Sequence, residues 1–168
     1  MIVITGGAGF IGSNLAAGLE ARGLDDIVVV DWLGHEDKWR NLAKRNLADV
    51  IMPEDLWSFL EKVWREVDAV FHMGAISATT ERDVDLIVKS NIRLSLDLWE
   101  WCTTHQKPFI YASSAATYGD GSAGFDDAAD LAGLHPMNAY GWSKHLVDRR
   151  IASLLARGDP TPPFWAGT

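Results

Sequence analysis

Tyr140 and Lys144, four positions apart in Tyr140-Gly-Trp-Ser-Lys144, are residue types that can work together as an acid–base pair. In a helix this spacing puts the phenol and the ammonium group on one face. A free tyrosine has a pKa of about 10, so a neighbouring positive charge would favour the phenolate that takes a proton from an alcohol. Ser113 and Ser114 follow an apolar segment typical of a strand, where a hydroxyl can hydrogen-bond the reacting oxygen. This group favours hydride chemistry on an alcohol or a carbonyl.

A glycine-rich turn near the start of the chain predicts a dinucleotide site. Thr5-Gly-Gly-Ala-Gly-Phe-Ile-Gly12 lies between a strand pattern and a helix pattern, and fits G-x-G-x-x-G from Gly7 and G-x-x-G-x-x-G from Gly6. Glycines at these positions permit a tight turn, a close approach to the pyrophosphate, and close packing of helix on strand. The helix N-terminus adds N–H donors and partial positive charge. A glycine turn that binds nothing is the alternative.

The choice between NAD and NADP stays open on the residues alone. Asp31 follows the turn by about 20 residues, at the end of the second predicted strand, where an acid binds the adenosine ribose. A carboxylate there repels a 2′-phosphate and favours NAD. Four basic residues soon follow and would surround a 2′-phosphate with charge-assisted hydrogen bonds, or simply form a solvated helix face. They are Lys38, Arg40, Lys44 and Arg45.

Several other residues are weaker candidates. Gly74 and Ala75 are small enough to let a cofactor pass closely, and Asp49 follows Ala48 near a predicted strand end, where it could contact adenine. Asn91, within a predicted helix, either braces the catalytic loops or lies on the surface. Thr79-Thr80-Glu81 either touches substrate or caps the next helix. His72 is interpreted as a core or turn histidine rather than a catalytic one.

Apolar segments alternate with helical patterns, which predicts a Rossmann-type α/β fold: a doubly wound parallel sheet with helices on both faces. We expect one dinucleotide-binding domain over residues 1–168, with Asp120–His135 as a surface excursion and a further strand beginning at Phe164-Trp165-Ala166. The predicted strands are Ile2–Ile4, Ile27–Val30, Ala69–His72 and Phe109–Ala112. The predicted helices run from Ile11 to about Gly23, from Pro53, over Asp85–His105 and over Tyr140–Ala156.

Composition excludes several classes of protein. The net charge of -8 argues against nonspecific binding to nucleic acid or to an anionic membrane surface. No apolar run reaches the roughly 18 residues of a membrane span, and Met1-Ile-Val-Ile-Thr5 lacks the basic start of a signal peptide. Cys102 is the single cysteine, so no internal disulfide forms. We expect a cytoplasmic protein without metal ligands.

Seven segments together resemble the extended short-chain dehydrogenase/reductase superfamily of nucleotide-sugar enzymes, and within it the ADP-heptose 6-epimerases. The resemblance extends over essentially the whole chain, and its more specific segments are the Ala-Ser-Ser-Ala-Ala-Thr-Tyr-Gly stretch and the Thr-Thr-Glu loop. The segments are Thr5-Gly-Gly-Ala-Gly-Phe-Ile-Gly-Ser-Asn14, Val30-Asp31, Asn46-Leu-Ala-Asp49, Phe71-His-Met-Gly-Ala75, Thr79-Thr80-Glu81, Tyr111-Ala-Ser-Ser-Ala-Ala-Thr-Tyr-Gly119 and Tyr140-Gly-Trp-Ser-Lys144.

The resemblance implies tightly held NADP, oxidation at C6″ of the heptose of ADP-heptose, and reduction from the opposite face, in the lipopolysaccharide heptose pathway. It implies that Tyr140 is one acid/base, Lys144 its partner and Ser114 the serine at the reacting oxygen, and that the protein forms homo-oligomers. We assign substrate binding to Ser77, Thr79 and Ser114. We assign cofactor binding to Gly6, Gly9, Phe10, Ile11, Gly12, Asp31, Trp32, Lys38, Asp49, Gly74, Ala75, Asn91, Tyr140 and Lys144.

The sequence departs from this family at three places. Pro53 stands where a lysine is expected near the cofactor phosphate, and Trp32 replaces a polar residue. The family also continues past residue 168 into an Asn-x-Tyr-Gly-Pro segment, a second acid/base lysine and most of a substrate domain. We therefore expect the 168-residue chain alone to bind dinucleotide weakly and not to epimerise. The alternatives are another nucleotide-sugar 4-epimerase or 4,6-dehydratase, and a non-catalytic dinucleotide-binding fragment.

Overall fold

The computed structural model describes residues 1–35, 37–128 and 130–167. The chain folds into two compact units. The first unit comprises Met1–Gly74 with Lys107–Ile110, and the second comprises Ala75–Gln106 with Tyr111 onward. The glycine turn belongs to the first unit, and the Tyr140/Lys144 pair belongs to the second.

The first unit is built on strands that are apolar on both faces. Val3, Ile4 and Val29 are fully buried, as expected for strands of a covered parallel sheet. Pairing is parallel between β1 and β2, β1 and β4, and β2 and β3, and the strand order is β3-β2-β1-β4-β5. The strands are β1 (Ile2–Thr5), β2 (Ile27–Val30), β3 (Asp49–Ile51), β4 (Ala69–His72) and β5 (Phe109–Tyr111).

The helices of the first unit are α1 (Phe10–Glu20) and α2 (Leu56–Val63). Leu15 and Leu19 of α1 pack against buried residues of β1 and β2, whereas Ile11, at the predicted start of the helix, is 63% exposed. The helix predicted from Pro53 begins as a 3₁₀ turn over Pro53–Asp55 before α2 starts. A further 3₁₀ turn spans Asp37–Asn41, between β2 and β3. The structure also shifts both ends of α1, which runs from Phe10 to Glu20 rather than from Ile11 to about Gly23, and it adds β3, a strand absent from the four predicted.

The second unit is mainly helical. The predicted helix over Asp85–His105 is interrupted: α3 (Val84–Ile87) passes through a π-helical turn (Val88–Arg93) into α4 (Leu94–His105). The last long helix, α5 (Ala139–Ala156), begins one residue earlier than predicted. Between β5 and α5 the chain forms two 3₁₀ turns, over Ala115–Tyr118 and Leu131–Gly133.

A final short strand, β6 (Trp165–Gly167), lies one residue later than the predicted strand start at Phe164. It follows β5 in the sheet order, beside Tyr111, the residue of β5 that belongs to this unit. At Gly167 a Cβ would lie 2.6 Å from the Tyr111 hydroxyl, so a side chain there would require Tyr111 to move. The strand order 3-2-1-4-5-6 is that of the dinucleotide-binding α/β fold, and the predicted fold class is confirmed.

Among the described residues, every helix is too short or too polar to cross a bilayer. The longest helix, α5, carries charged residues along its length, including Lys144, Asp148 and Arg149.

The close packing of α1 on the glycine turn leads to a testable expectation. At Gly12 a Cβ would lie 2.4 Å from the Gly6 carbonyl oxygen, whereas at Gly18 it would meet nothing nearer than the Arg22 guanidinium at 3.5 Å. We expect Gly12→Ala to lower the free energy of unfolding by about 1–3 kcal/mol through this clash. Gly18→Ala, in the same helix, should raise it by about 0.5–1 kcal/mol because alanine favours helix. Urea denaturation of both variants checks this, and equal effects would contradict it.

Candidate functional site

The glycine turn of the first unit brings backbone segments into unusually close contact. Gly6 has φ of +66°, and a Cβ there would lie 2.5 Å from the Cα of Gly74. Gly9 is the N-cap of α1, and its N–H donates to the Gly6 carbonyl at 3.0 Å. At Gly7 a Cβ would lie 2.7 Å from the Val29 side chain. The turn therefore requires the first glycine of both sequence patterns, Gly6 and Gly7, and their shared last glycine, Gly12, because a side chain at each would collide with its neighbours.

The N-terminus of α1 faces outward from this turn. Phe10 and Ile11 are 82% and 63% exposed, although both are large and apolar. The first-turn N–H groups of an α-helix have no partner within the helix and carry partial positive charge. Exposed apolar side chains beside free amide donors fit the pyrophosphate end of a dinucleotide.

Asp31 is buried, and both of its carboxylate oxygens are bonded within the chain. The Ala8 N–H donates to Oδ2 at 2.9 Å, and the Lys38 ammonium donates to Oδ1 at 2.5 Å. Lys38 also donates to the Trp32 carbonyl at 3.1 Å. Asn41, which the sequence reasoning missed, donates from its side chain to the Ala8 carbonyl at 2.8 Å. The segment after β2 is thus tied to the glycine turn, and Lys38 neutralises the acid predicted to face the ribose.

Trp32 is half exposed and is held by a carboxylate from the segment after β3. Its indole N–H donates to both carboxylate oxygens of Glu54, at 2.9 and 3.1 Å. Glu54 follows Pro53 in the 3₁₀ turn before α2. The indole ring therefore has a fixed orientation and an exposed surface next to Asp31, as an adenine platform would require.

Asp49 lies away from this group. It is the first residue of β3 and pairs with Val28, whereas Ile51, at the other end of β3, pairs with Val30 next to Asp31. Asp31 follows the carboxyl end of β2, so Asp49 is level with the opposite end of the strands. The structure does not bring Asp49 together with Asp31, Trp32 and Lys38, because the strand begins at the residue expected near its end.

Gly74 ends the segment after β4 and contacts the end of β1. Its N–H donates to Thr5 Oγ1 at 3.3 Å, and Thr5 Oγ1 is 2.6 Å from Nδ1 of His72. His72 is fully buried and its ring stacks on Phe109. These bonds hold Gly74 against the glycine turn, where its missing side chain leaves room for Gly6.

In the second unit, α5 presents Tyr140 in its first turn and Lys144 in its second. Asn138 caps the helix by accepting the Gly141 N–H at 2.8 Å. Lys144 is only 2% exposed, and its ammonium donates to the Ala112 carbonyl at 2.7 Å. Burial lowers the pKa of Lys144 to about 8, while the Asp148 carboxylate acts in the opposite direction. Lys144 is therefore a buried cation at neutral pH, one helical turn from the half-buried phenol of Tyr140.

Ser114 lies two residues beyond Ala112 and begins the 3₁₀ turn Ala115–Tyr118. Its hydroxyl oxygen accepts the Ala116 N–H at 3.1 Å, and its carbonyl accepts the Thr117 hydroxyl at 2.8 Å. The hydroxyl hydrogen of Ser114 stays available for a ligand oxygen, because those bonds use only acceptors of Ser114. The structure thus brings Ser114 and Lys144 to the same end of β5.

Asn91 is fully buried in the π-helical turn and braces the segment after Ala75. Its side chain accepts the Ile76 N–H at 2.8 Å and donates to the Ile76 carbonyl at 3.0 Å. It also donates to the Ser143 hydroxyl on α5 at 3.0 Å. Of the two interpretations of Asn91, the structure supports the brace.

Ala75, Ser77 and Thr79 form the start of the loop that Asn91 supports. Ala75 is half-buried, whereas Ser77 and Thr79 are exposed. Glu81 bonds within the loop, accepting the N–H groups of Arg82 and Asp83. Ser77 and Thr79 are therefore accessible to a substrate, and Asn91 fixes only the residue before them.

Asp148 is the residue of this unit that the sequence reasoning missed. It accepts hydrogen bonds from Tyr111 and from Ser113, which precedes Ser114. Burial and the Asp148 carboxylate raise the pKa of Tyr111, which stays a neutral donor. The signal was present in the sequence, because Asp148 follows Lys144 by four residues and so shares its helix face.

Comparison with known proteins agrees with this geometry. The model of the NAD dependent epimerase/dehydratase family matches residues 2–159. A relative from Nitratidesulfovibrio vulgaris, named ADP-L-glycero-D-manno-heptose-6-epimerase, is 50% identical over 155 residues, which are 88% of this chain and 47% of the relative. The chain spans about half the length of the curated relatives it matches.

Two of the solved structures similar to this chain are matched over about half of their own length. The crystal structure of ADP-L-glycero-D-manno-heptose-6-epimerase from Helicobacter pylori has a TM-score of 0.70 and 36% identity, covering 90% of this chain and 50% of that one. UDP-glucuronic acid 4-epimerase from Bacillus cereus, in complex with NAD, has a TM-score of 0.76 and 25% identity, covering 93% of this chain and 51% of that one.

The buried ammonium of Lys144 predicts a specific pH dependence of stability. Its pKa falls from 10.5 when unfolded to about 8 when folded, so the unfolded chain binds more protons between these values. Stability should therefore rise as pH increases from about 8 towards 10, by up to roughly 3 kcal/mol for this group. We expect Lys144→Met to abolish this rise in urea denaturation at pH 7 to 10.

Lys89→Met removes an exposed lysine of the same unit and serves as the matched control. It should leave the pH dependence of the wild type intact. A wild-type chain whose stability, relative to Lys144→Met, stays constant from pH 7 to 10 would show that Lys144 is not a buried cation.

Proposed function

The chain belongs to the NAD dependent epimerase/dehydratase family, and on that premise we propose that it carries the cofactor-binding and acid–base residues of an ADP-heptose 6-epimerase. The proposed reaction converts ADP-D-glycero-D-manno-heptose to ADP-L-glycero-D-manno-heptose by inversion at C6″. The observation that carries the proposal is the arrangement on α5: a buried, cationic Lys144 lies one turn from Tyr140 and donates to the Ala112 carbonyl, two residues before Ser114. The names and identities of the relatives support the choice of substrate.

The residues of the first unit fit the adenosine and pyrophosphate end of a nicotinamide dinucleotide. A Cβ at Gly6 or Gly12 would collide with neighbouring backbone, so both glycines are needed for the turn to form. Phe10 and Ile11 are exposed, so the start of α1 is not covered by other parts of its unit. Trp32 offers an exposed ring surface for adenine. When bound, the dinucleotide supplies the acceptor and donor of the hydride on C6″.

The residues of the second unit supply the proton chemistry. In the oxidation half, Tyr140 takes the proton of the C6″ hydroxyl, and in the reduction half a proton returns to the same oxygen. Lys144 supplies a positive charge one helical turn from Tyr140, on the same face of α5. Ser114 donates a hydrogen bond to the reacting oxygen. Inversion requires the carbonyl intermediate to present its other face before reduction.

We further infer that the cofactor is NADP. Asp31 would repel a 2′-phosphate if it were free, but Ala8 and Lys38 occupy its two oxygens. Lys38 is about one-third exposed at its side chain and can bind a phosphate while it remains paired with Asp31. The basic residues after it add to the attraction. NAD is the alternative, and the NAD complex of the similar 4-epimerase keeps it open.

We infer a cytoplasmic role in supplying the heptose of the lipopolysaccharide core, because the substrate is a charged nucleotide sugar. We also infer assembly into homo-oligomers. Sedimentation of the purified protein tests the last point.

Grafting the chain into a relative tests the proposed activity. In a chimera, residues 2–159 of this chain replace the matched part of the Nitratidesulfovibrio relative, which then supplies the remaining half. We expect interconversion of the two ADP-heptose epimers, followed by NMR. Tyr140→Phe should lower kcat by about 10²–10⁴-fold, the usual contribution of a general acid–base. Trp142→Phe, an exposed neighbour on α5, should leave kcat unchanged.

The outcomes separate the alternatives. Turnover of UDP-glucuronic acid instead of ADP-heptose would favour a 4-epimerase. A folded chimera that turns over neither sugar would favour a non-catalytic dinucleotide-binding role.

The cofactor is tested by calorimetric titration of the 168-residue chain with NADP and NAD at matched salt. We expect tighter binding of NADP, and Lys38→Gln should weaken it by about tenfold or more, since a hydrogen bond to a charged group is worth about 1.5–3 kcal/mol. NAD binding should change little. Lys62→Gln, an exposed lysine of the same unit, is the control. Tighter binding of NAD by the wild type would refute the NADP assignment.

A further inference from the structure

Asp148 joins α5 to the end of β5 through two hydrogen bonds. The Tyr111 hydroxyl donates to Oδ1 at 2.7 Å, and the Ser113 hydroxyl donates to Oδ2 at 2.5 Å. Tyr111 and Ser113 are two positions apart, so in extended backbone their side chains lie on the same side of the chain. A single half-buried carboxylate therefore holds both ends of this tripeptide.

Lys144 holds the middle of the same tripeptide. Its ammonium donates to the carbonyl of Ala112, the residue between Tyr111 and Ser113. Lys144 and Asp148 are four positions apart and lie on one face of α5. Three hydrogen bonds from adjacent turns of one helix thus fix three consecutive residues, and Ser114 is the next residue along the chain.

A second contact with α5 lies on the other side of Ser114. A Cβ at Gly141 would lie 2.6 Å from the Ala116 carbonyl oxygen, so the first turn of α5 packs directly on the 3₁₀ turn. That turn is bonded to Ser114 through the Ala116 N–H and the Thr117 hydroxyl. Ser114 therefore lies between two anchors on the same helix, and the anchor before it depends on Asp148.

We propose that Asp148 is a positioning residue, which fixes the Ala112 carbonyl and the Ser114 hydroxyl relative to Lys144 on α5. Its bonds go to Tyr111 and Ser113, so it acts on Ser114 through the backbone. The positioning of Ala112 and Ser114 by Asp148 concerns the fold of the second unit alone. The effect of this positioning on turnover rests on the proposed function.

The charge of Asp148 gives the carboxylate a second effect. Burial alone lowers the pKa of Lys144, and the carboxylate one turn away opposes that fall. Other titratable groups also face Asp148: Tyr111 from β5, and His145 on α5 itself. Burial lowers the pKa of His145, and the charge of Arg149 on the same helix acts in the same direction. A neutral acceptor at position 148 would keep part of the hydrogen bonding to Tyr111 and Ser113, but it would no longer stabilise the charged form of Lys144.

Asp148→Asn in the 168-residue chain tests the positioning of Ser114 and the charge effect on Lys144 separately from a general loss of structure. The asparagine has the same shape but no charge, and its amide nitrogen cannot accept the second hydroxyl hydrogen. We expect the Lys144 pKa, followed by NMR titration of its side chain, to fall below the wild-type value. The amides of Ala116 and Thr117 should exchange about tenfold faster, as expected when one hydrogen bond of about 1–1.5 kcal/mol is lost.

Three further variants serve as controls. Asp148→Glu keeps the charge and should return the Lys144 pKa towards that of the wild type. Asp85→Asn removes an exposed carboxylate of the same unit and should change neither quantity. If Asp148→Asn does not fold, Ser113→Ala removes only one of the two bonds, and it should speed exchange of the same amides.

Two results would overturn the proposal. One is a folded Asp148→Asn chain in which the Lys144 pKa and both exchange rates match the wild type. The other is a fall in the Lys144 pKa with unchanged exchange, because the carboxylate would then act by charge without positioning anything.

The chimera keeps this test apart from the proposed function. If the wild-type chimera is active, Asp148→Asn should lower kcat about tenfold while KM changes little. The reason is that a misplaced Ser114 affects the hydrogen bond to the reacting oxygen more than it affects substrate binding. If the wild-type chimera is inactive, the proposed function fails, and the pKa and exchange measurements still decide whether Asp148 positions the end of β5.

Discussion

A buried ammonium group bonded to a backbone carbonyl organises the second unit. Removing a lysine from water is costly, and the cost is tolerable only if its donors and charge are matched. Lys144 meets that condition by donating to Ala112 at 2.7 Å with the Asp148 carboxylate nearby. The position of α5 against the end of β5 is therefore set by electrostatics as well as by apolar packing. Ser114 and Tyr140 take their places because α5 and β5 are joined in this way.

The first unit is organised by a buried charge of the opposite sign. Asp31 accepts the Ala8 N–H and the Lys38 ammonium, so the segment after β2 is tied to the glycine turn. Gly6 and Gly12 allow the turn itself to approach neighbouring backbone to distances that a side chain would forbid. The same arrangement leaves the N-terminus of α1 open and turns a carboxylate that would repel a phosphate into part of an ion pair. In the proposed function, anion binding and cofactor choice depend on this one cluster of contacts.

Two interruptions of regular structure also serve the candidate site. The π-helical turn at Val88–Arg93 places Asn91 inward, where its amide bonds both the Ile76 backbone and Ser143. The 3₁₀ turn at Ala115–Tyr118 lets the chain leave β5 sharply, with Ser114 as its cap. π-helical turns are frequent at functional sites, because an added residue redirects a side chain without ending the helix.

Residue types and spacing determined the fold class, the glycine turn, the Tyr140/Lys144 pair and Ser114, because these signals are local. Strand and helix periods, turn glycines and i,i+4 neighbours depend on residues close together in the chain. Asp148 is only four positions from Lys144, but its role was missed because its partners, Tyr111 and Ser113, lie more than thirty positions away. Only the tertiary structure decided that Asp31 is paired with Lys38, that Asn91 is a brace, and that Asp49 begins a strand rather than ending one. Those outcomes depend on which distant groups meet in the folded chain and on how far each is removed from water, and no local pattern records either.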